Sequence, residues 1–202
     1  GMKWYAMHAW MPGYIDLVRM LKERGEMTIV SSFEYMPAMD ASDEIYHIDS
    51  GKYIYLNHDA KPDRAKIWEA VRDGTIDMIA TDHAPHSAEE KGRGLEKSAM
   101  GIVGLETAFP LLYTELVEPG VISMERLMEL LHDAPCRRFN IPTDTGFTVF
   151  DLNDTYRIDP ADFLSMGKAT PFTGWEVQGR CLLTAAGETA VWYDADRLLK
   201  GE

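Results

Sequence analysis

The hydrophobic and polar positions along the chain follow a helical period up to about residue 140 and a strand period after residue 146. Apolar residues at 14, 17, 18 and 21 lie on one helical face, and Gly25 supplies the stop that ends such a helix. The pattern predicts strands at 3–8, 27–32 and 76–80, and helices at 14–25, 62–74, 104–117, 123–131 and 137–140. Because strands and helices alternate, we expect a parallel sheet with right-handed crossovers.

The residues after 146 predict a small β-rich region. We expect strands at 148–150, 156–158, 177–184 and 189–193, separated by turns that contain Gly, Asp and Pro. The chain is therefore expected to divide into an α/β unit, residues 2–141, and a β-rich segment, residues 142–202.

The densest group of chemically active side chains follows the predicted strand at 76–80. That strand is apolar almost throughout, which indicates burial on both faces, as in a parallel sheet covered by helices. Ligands and catalytic groups gather at the carboxyl ends of such strands. Asp82 at this position can bind a metal or accept a proton, and His83 and His86 can bind a metal or an anion. The alternative is an ordinary turn, in which Asp82 caps the next segment and both histidines are solvated.

Three further residues are candidates for the same site. His8 ends the first predicted strand, although a single strand histidine is more often a packed core residue. Asn57 lies on the loop ahead of the second helix, where an Asx turn is the alternative. Gly101 precedes a helix whose free N–H groups can receive an oxygen atom. His8 and Asp82 alone are too few for a catalytic zinc, which typically holds three protein ligands and a water.

Composition and charge exclude several classes of partner. The chain has 202 residues, of which 46% are hydrophobic, a content typical of a globular protein rather than a disordered one. Its 20 Lys and Arg against 33 Asp and Glu give a net charge of −13, which disfavours nucleic acids and anionic membranes. No apolar run reaches the roughly 20 residues of a spanning helix. Cys136 and Cys181 have no metal-ligand spacing and form no disulfide framework, so we expect a cytoplasmic protein.

Segment 76–86, IDMIATDHAPH, closely resembles the signature that follows the eighth barrel strand of dihydroorotases, members of the cyclic amidohydrolase family. The resemblance continues through 89–91, 101–108, 159–163 and 170–175. It implies an α/β fold made of the last three strands and helices of a (β/α)8 TIM barrel, followed by a small C-terminal β-rich segment. It also implies a zinc-dependent hydrolase of a cyclic amide. Such an enzyme converts dihydroorotate to carbamoyl aspartate in pyrimidine biosynthesis at a two-metal centre.

The resemblance implies a role for five of these candidate residues. Asp82 matches the strand-eight aspartate that binds metal and moves the proton, and His86 matches the histidine that contacts the substrate carboxylate. His8 falls on the metal-binding histidine of strand six. Asn57 resembles the substrate-contacting asparagine before helix seven, and Gly101 is expected to contact substrate as well.

The sequence also departs from the family's pattern. Asn57 is followed by His-Asp-Ala-Lys where the family has two prolines and an arginine, and no His-x-His pair occurs in the chain. Because only His8 and Asp82 match expected ligands, we expect an incomplete zinc site and an inactive isolated chain. The alternative is a catalytically inactive dihydroorotase-like protein that acts as a binding or scaffold partner. Three strands leave open sheet edges, so we also expect pairing with a second copy or with a missing N-terminal half.

Overall fold

The computed structural model describes residues 5–6, 12–25, 29–33, 64–94, 97–143 and 146–198. The candidate residues His8 and Asn57 lie outside these described residues. Within the described ranges, no helix is long and apolar enough to cross a membrane.

Three parallel strands form the first sheet. They are β1 (Tyr5–Ala6), β2 (Ile29–Phe33) and β3 (Met78–Ala80), hydrogen-bonded in that order. Helix α1 (Pro12–Glu23) connects β1 to β2, and helix α2 (Arg64–Asp73) precedes β3. The predicted parallel sheet with helical crossovers is therefore confirmed for the described strands.

Glycine ends both of these helices, as the sequence predicts. Gly25 and Gly74 have φ angles of 70° and 83°, in the left-handed region that only glycine enters without cost. Lys22, in the last turn of α1, donates hydrogen bonds to the carbonyl of Gly74 at 2.8 Å and to the carboxylate of Asp77 at 2.8 Å. The end of α1 is thereby fixed to the turn that leads into β3.

Among the described residues, four helical segments lie between β3 and residue 140. They are α3 (Ala88–Lys91), α4 (Ala108–Leu112, continued by the π-helical turn Tyr113–Val117), α5 (Met124–Met128, continued by the π-helical turn Glu129–Asp133) and α6 (Ala134–Phe139). The predicted helix at 104–117 begins later, at Ala108, because residues 105–107 form a turn. Ser123 caps the next helix, since its hydroxyl accepts a hydrogen bond from the Arg126 amide at 3.2 Å.

The second sheet is antiparallel and lies in the last part of the chain. Its strands are β4 (Gly146–Arg157), β5 (Glu176–Ala186) and β6 (Thr189–Tyr193), and β5 lies in the centre. The prediction of two separate strands at 148–150 and 156–158 is wrong, because β4 runs through the polar residues between them. The pairing of β4 with β5 shifts register between Asp151 and Thr155, so an irregularity in the ladder accommodates these residues. A 3₁₀ turn (Pro160–Asp162) and helix α7 (Ala195–Leu198) complete this region.

One hydrophobic core joins the helices to the second sheet. Its cluster contains Ile67 and Leu111 from helices together with Ile158, Phe172 and Val177 from the β-rich region. Since packing is continuous across residue 141, the division at 141/142 stays a prediction.

Candidate active site

The backbone turns abruptly just after β3, at Asp82. This residue is exposed and has a φ angle of 45°, a left-handed conformation that a non-glycine residue adopts only at a cost. Within the described part of the chain, the Asp82 carboxylate makes no hydrogen bond or ion pair. A strained backbone at a strand's carboxyl end therefore presents a carboxylate whose acceptor capacity is available to a ligand.

The His83 ring is hydrogen-bonded to the backbone of the segment that precedes α4, instead of being solvated. Its Nδ1 atom accepts hydrogen bonds from the backbone amides of Gly104 at 3.2 Å and Leu105 at 3.3 Å. Because Nδ1 accepts, the ring proton is assigned to Nε2. His83 also forms a parallel bridge with Ile102, and the Ala84 amide donates to the Ile102 carbonyl at 2.8 Å. His83 thus positions the segment that follows Gly101, a role that neither sequence interpretation of this histidine included.

His86 lies half-buried at the entrance to helix α3. Ser87 caps this helix, because its hydroxyl accepts from the Glu90 amide at 3.2 Å and its own amide donates to the Glu90 carboxylate at 2.9 Å. Hydrogen bonds from the Ser87 backbone and hydroxyl lower the pKa of Glu90. Glu90 Oε2 lies 3.9 Å from His86 Nδ1, so the imidazole has a carboxylate neighbour on its α3 side.

Gly101 lies against the turn that follows Asp82. Its φ angle is 116°, and a Cβ atom at this position would lie 2.4 Å from the Cβ of Ala84. Only glycine fits here, both because of the backbone conformation and because of the close approach. The segment before α4 is therefore in direct contact with the turn that carries Asp82 and His86.

Lys91 holds this segment from the other side. Its side chain is buried, and Nζ donates to the carbonyls of Ala99 at 2.9 Å and Gly101 at 2.8 Å. Burial lowers the pKa of the Lys91 ammonium, because the charged form loses solvation. The Ser98 hydroxyl in turn donates to the Lys91 carbonyl at 2.8 Å. In the sequence, the only signal for this lysine is its place in the matched stretch 89–91.

Of the five residues to which the resemblance gives a role, the described structure brings three to one end of β3. Asp82, His86 and Gly101 lie on two segments that touch at Ala84, whereas His8 and Asn57 lie outside the described residues. Among the described residues, no group of three or more His, Cys, Asp or Glu side chains could hold a metal ion. Asp82 can therefore serve as one metal ligand, but the described residues do not include the other ligands that a metal site needs.

No family model matches the chain. Curated relatives do: a dihydroorotase of Bacillus cytotoxicus is 36% identical over 203 residues, which cover 97% of this chain and 47% of the relative. A dihydroorotase of Bacillus cereus (strain B4264) is 47% identical over 146 residues, covering 69% of this chain and 34% of the relative. The chain therefore spans about half the length of the relatives that match nearly all of it.

Solved structures share the fold. The L-hydantoinase (dihydropyrimidinase) of Arthrobacter aurescens superposes with a TM-score of 0.83 at 25% identity, over 96% of this chain and 45% of that one. An inactive dihydroorotase-like domain of a Chaetomium thermophilum CAD-like multifunctional protein superposes with a TM-score of 0.71 over 95% of this chain and 52% of that one. Its identity of 17% makes this second likeness one of fold alone.

Fold and sequence together place the chain in the cyclic amidohydrolase family, as a carboxyl-terminal portion of these longer proteins. Its architecture is that of the last three strands and helices of the TIM barrel, followed by a small β-rich segment. Within the family, the two curated relatives named above are dihydroorotases. The predicted fold class and family resemblance are confirmed.

Proposed function

We propose that the chain supplies the carboxyl-terminal part of the active site of a dihydroorotase. The complete enzyme hydrolyses the cyclic amide of dihydroorotate to carbamoyl aspartate, a reaction of pyrimidine biosynthesis. The observation that carries the proposal is Asp82: an exposed carboxylate on strained backbone, at the strand end where barrel enzymes place catalytic groups. The relatives' names support hydrolysis of a cyclic amide, because they are dihydroorotases and a hydantoinase.

Zinc is the metal that we propose for this site, with His8 and Asp82 as two of its ligands. The donor type fits, since zinc accepts carboxylate and imidazole ligands, but the described residues provide Asp82 alone. The remaining ligands must therefore come from outside the described part. When bound, zinc polarises a carbonyl group and lowers the pKa of water.

The roles that we propose for the chain's own residues are those that the resemblance implies. Asp82 accepts the proton from the attacking water and returns it to the amide nitrogen that leaves the opened ring. His86 donates a hydrogen bond to the substrate carboxylate, and the Glu90 carboxylate lies 3.9 Å from its Nδ1 atom. Gly101 lets the backbone approach the same space without a side chain, and Asn57 is the second proposed polar contact to substrate.

Assembly is part of the proposal. In the described sheet, β1 and β3 are edge strands, and such edges present unpaired backbone groups. We propose that these edges pair with the rest of a barrel, supplied by an N-terminal half, or with a second copy of the chain. Light scattering coupled to size-exclusion chromatography tests this, and a monomer that stays dispersed at high concentration would refute it.

A chimaera tests the catalytic proposal. The aligned portion of the Bacillus cytotoxicus dihydroorotase is replaced by this chain, and hydrolysis of dihydroorotate is measured with zinc supplied. We expect turnover by the chimaera and none by the isolated chain. Asp82→Asn should lower kcat by roughly a hundredfold or more. Asp162→Asn, which removes an exposed carboxylate elsewhere, should leave kcat unchanged.

His86 gives the second arm of this experiment. His86→Asn should raise KM more than it lowers kcat, because the residue is proposed to bind substrate rather than to transfer a proton. A chimaera that folds and binds zinc but shows no turnover would contradict the proposal. That outcome would favour the alternative function, a catalytically inactive dihydroorotase-like protein that acts as a binding or scaffold partner.

A further inference from the structure

A loop of the β-rich segment, residues 163–169, lies directly behind the turn that carries His86. Gly167 packs so closely there that a Cβ atom would lie 2.4 Å from the Pro85 carbonyl carbon and 2.6 Å from the His86 carbonyl oxygen. The same loop continues to Ala169, whose carbonyl accepts a hydrogen bond from the Val103 amide at 2.9 Å. The loop therefore touches both segments of the candidate site.

One carboxylate binds this loop to the helical part of the chain. Glu106 accepts hydrogen bonds from the Leu164 amide at 2.6 Å, the Ser165 amide at 3.1 Å and the Ser165 hydroxyl at 2.6 Å. Glu106 is only half-buried, but it directly follows Leu105, whose amide donates to His83. The glutamate thus lies between the site's own backbone and the loop behind it.

Hydrophobic burial does little to hold the middle of this loop. Leu164 is 75% exposed and Met166 is 97% exposed, so neither side chain anchors it, whereas Phe163 at its start is buried. The Lys168 ammonium donates to the Phe163 carbonyl, a bond that lies within the loop. Among the described residues, the polar contacts that tie residues 164–165 to the helical part are those to Glu106.

We propose that Glu106 is a positioning residue: it holds residues 164–167 so that Gly167 backs the Pro85–His86 peptide and fixes the direction of the His86 imidazole. The proposal rests on the proposed function, because His86 is there assigned to the substrate carboxylate. Glu106 itself touches no substrate. Its effect on binding passes through the loop and then through the main chain of His86.

Nuclear magnetic resonance of the full chain, labelled at its six histidines, tests the proposal. The His86 imidazole signals are assigned with His86→Gln. Glu106→Gln replaces one acceptor oxygen by an NH₂ group, which faces an amide or hydroxyl donor and cannot accept from it. We expect the His86 signals to shift in this variant. Glu118→Gln, an exposed glutamate at the end of the π-helical turn Tyr113–Val117, is the matched control and should leave them in place.

A glycine pair tests the contact independently of charge. Gly167→Ala places a methyl group against the Pro85–His86 peptide, so it should shift the His86 signals as well. Gly13→Ala is its control, because a Cβ atom there meets nothing within 4 Å. Should Glu106→Gln unfold the chain, Ser165→Ala, which removes only the hydroxyl bond, should still shift the His86 signals. His86 signals that stay in place in the variants at positions 106, 165 and 167 would overturn the proposal.

Ligand binding separates this proposal from the proposed function. Dihydroorotate is titrated into the zinc-supplied chimaera of this chain with the Bacillus cytotoxicus dihydroorotase, while the same signals are followed. We expect Glu106→Gln to weaken binding by roughly fivefold, and Glu118→Gln to leave it unchanged. A shift of His86 without weaker binding would overturn the positioning role. If the unmodified chimaera does not bind dihydroorotate, the proposed function fails at this site, and the His86 signals alone decide whether Glu106 positions the ring.

Discussion

Replacement of Lys91 by methionine tests how the segment around Gly101 is held in place. Methionine has a similar length and no donor, so Lys91→Met keeps most of the packing and removes the bonds to the carbonyls of Ala99 and Gly101. The lysine side chain is buried, and solvent does not readily replace its Nζ atom. The variant therefore isolates the polar contribution of one side chain to this segment.

The expected loss combines two opposing effects. Two hydrogen bonds from a charged donor contribute about 3–6 kcal/mol in total when their acceptors are left without that donor. Removing the buried ammonium recovers part of this, because the lowered pKa of Lys91 shows that burial disfavours its charged form. We expect Lys91→Met to lower the free energy of unfolding by about 2 kcal/mol.

Urea unfolding, followed by circular dichroism and tryptophan fluorescence, measures this loss. Lys97→Met is the matched control, because Lys97 lies six positions further along and is exposed, and it should stay within about 0.5 kcal/mol of the unmodified chain. Hydrogen exchange should quicken at 98–103 in Lys91→Met before the rest of the chain opens. A Lys91→Met chain as stable as the Lys97→Met control would refute the reasoning.

The stability difference between the unmodified chain and Lys91→Met should also change with pH in a direction that the structure predicts. The native pKa of Lys91 lies below its unfolded value, so between the two the unfolded chain binds more protons than the native one. Stability contributed by this group therefore rises with pH through that alkaline window. The advantage of the unmodified chain over Lys91→Met should grow there, since groups common to both chains cancel. A constant or shrinking difference would contradict the proposed burial of the ammonium.

Three further substitutions test the strain and the contacts around the site by thermal or urea unfolding. Asp82→Gly should be more stable than Asp82→Ala by about 1 kcal/mol, because alanine tolerates the left-handed backbone poorly, and equal stability would contradict the strain. Gly101→Ala should cost about 2 kcal/mol more than Gly120→Ala, since both have positive φ but only the first meets a neighbour, at 2.4 Å. Arg126→Lys should lower the free energy of unfolding by about 1–2 kcal/mol, because an ammonium cannot reach the carbonyls of both Val71 and Ile76 as the guanidinium does. An unchanged unfolding midpoint would show that those bonds contribute nothing to stability.

The parallel sheet was predictable because its signals are local. The strand at 76–80 is a continuous apolar run, and Gly74 before it ends a helix with an apolar stripe. Helix α3 was not predicted, since its four residues carry no hydrophobic period and are fixed by the Ser87 and Glu90 capping box.

The break predicted within β4 shows the limit of turn signals. Residues 151–154 are mostly polar and read as a turn, yet Asp154 forms ion pairs with Arg180 of β5 and Arg197 of α7, at 2.6 Å each. Arg180 also lies over the Tyr156 ring at 3.8 Å. These partners lie 26 and 43 positions away from Asp154, so no local pattern could indicate that the strand continues.

The candidate site was predictable in part for the same reason. Asp82 and His86 follow a recognisable strand, and the resemblance names them, although their roles stay predictions. Lys91 and Glu106 were missed, because each acts on backbone groups that only the folded chain brings near. Glu106 and its partner Ser165 are 59 positions apart.

Three side chains stabilise the backbone around this site, and they share one property that distinguishes them from the residues proposed to act on substrate. His83, Lys91 and Glu106 all bond main-chain atoms of neighbouring segments, so the position of each segment depends little on the side chains that it carries. Strain at Asp82 and close packing at Gly101 persist only because such bonds fix the backbone on both sides. Substitution of an exposed side chain on these segments, such as Leu105, should therefore leave the backbone at Asp82 in place.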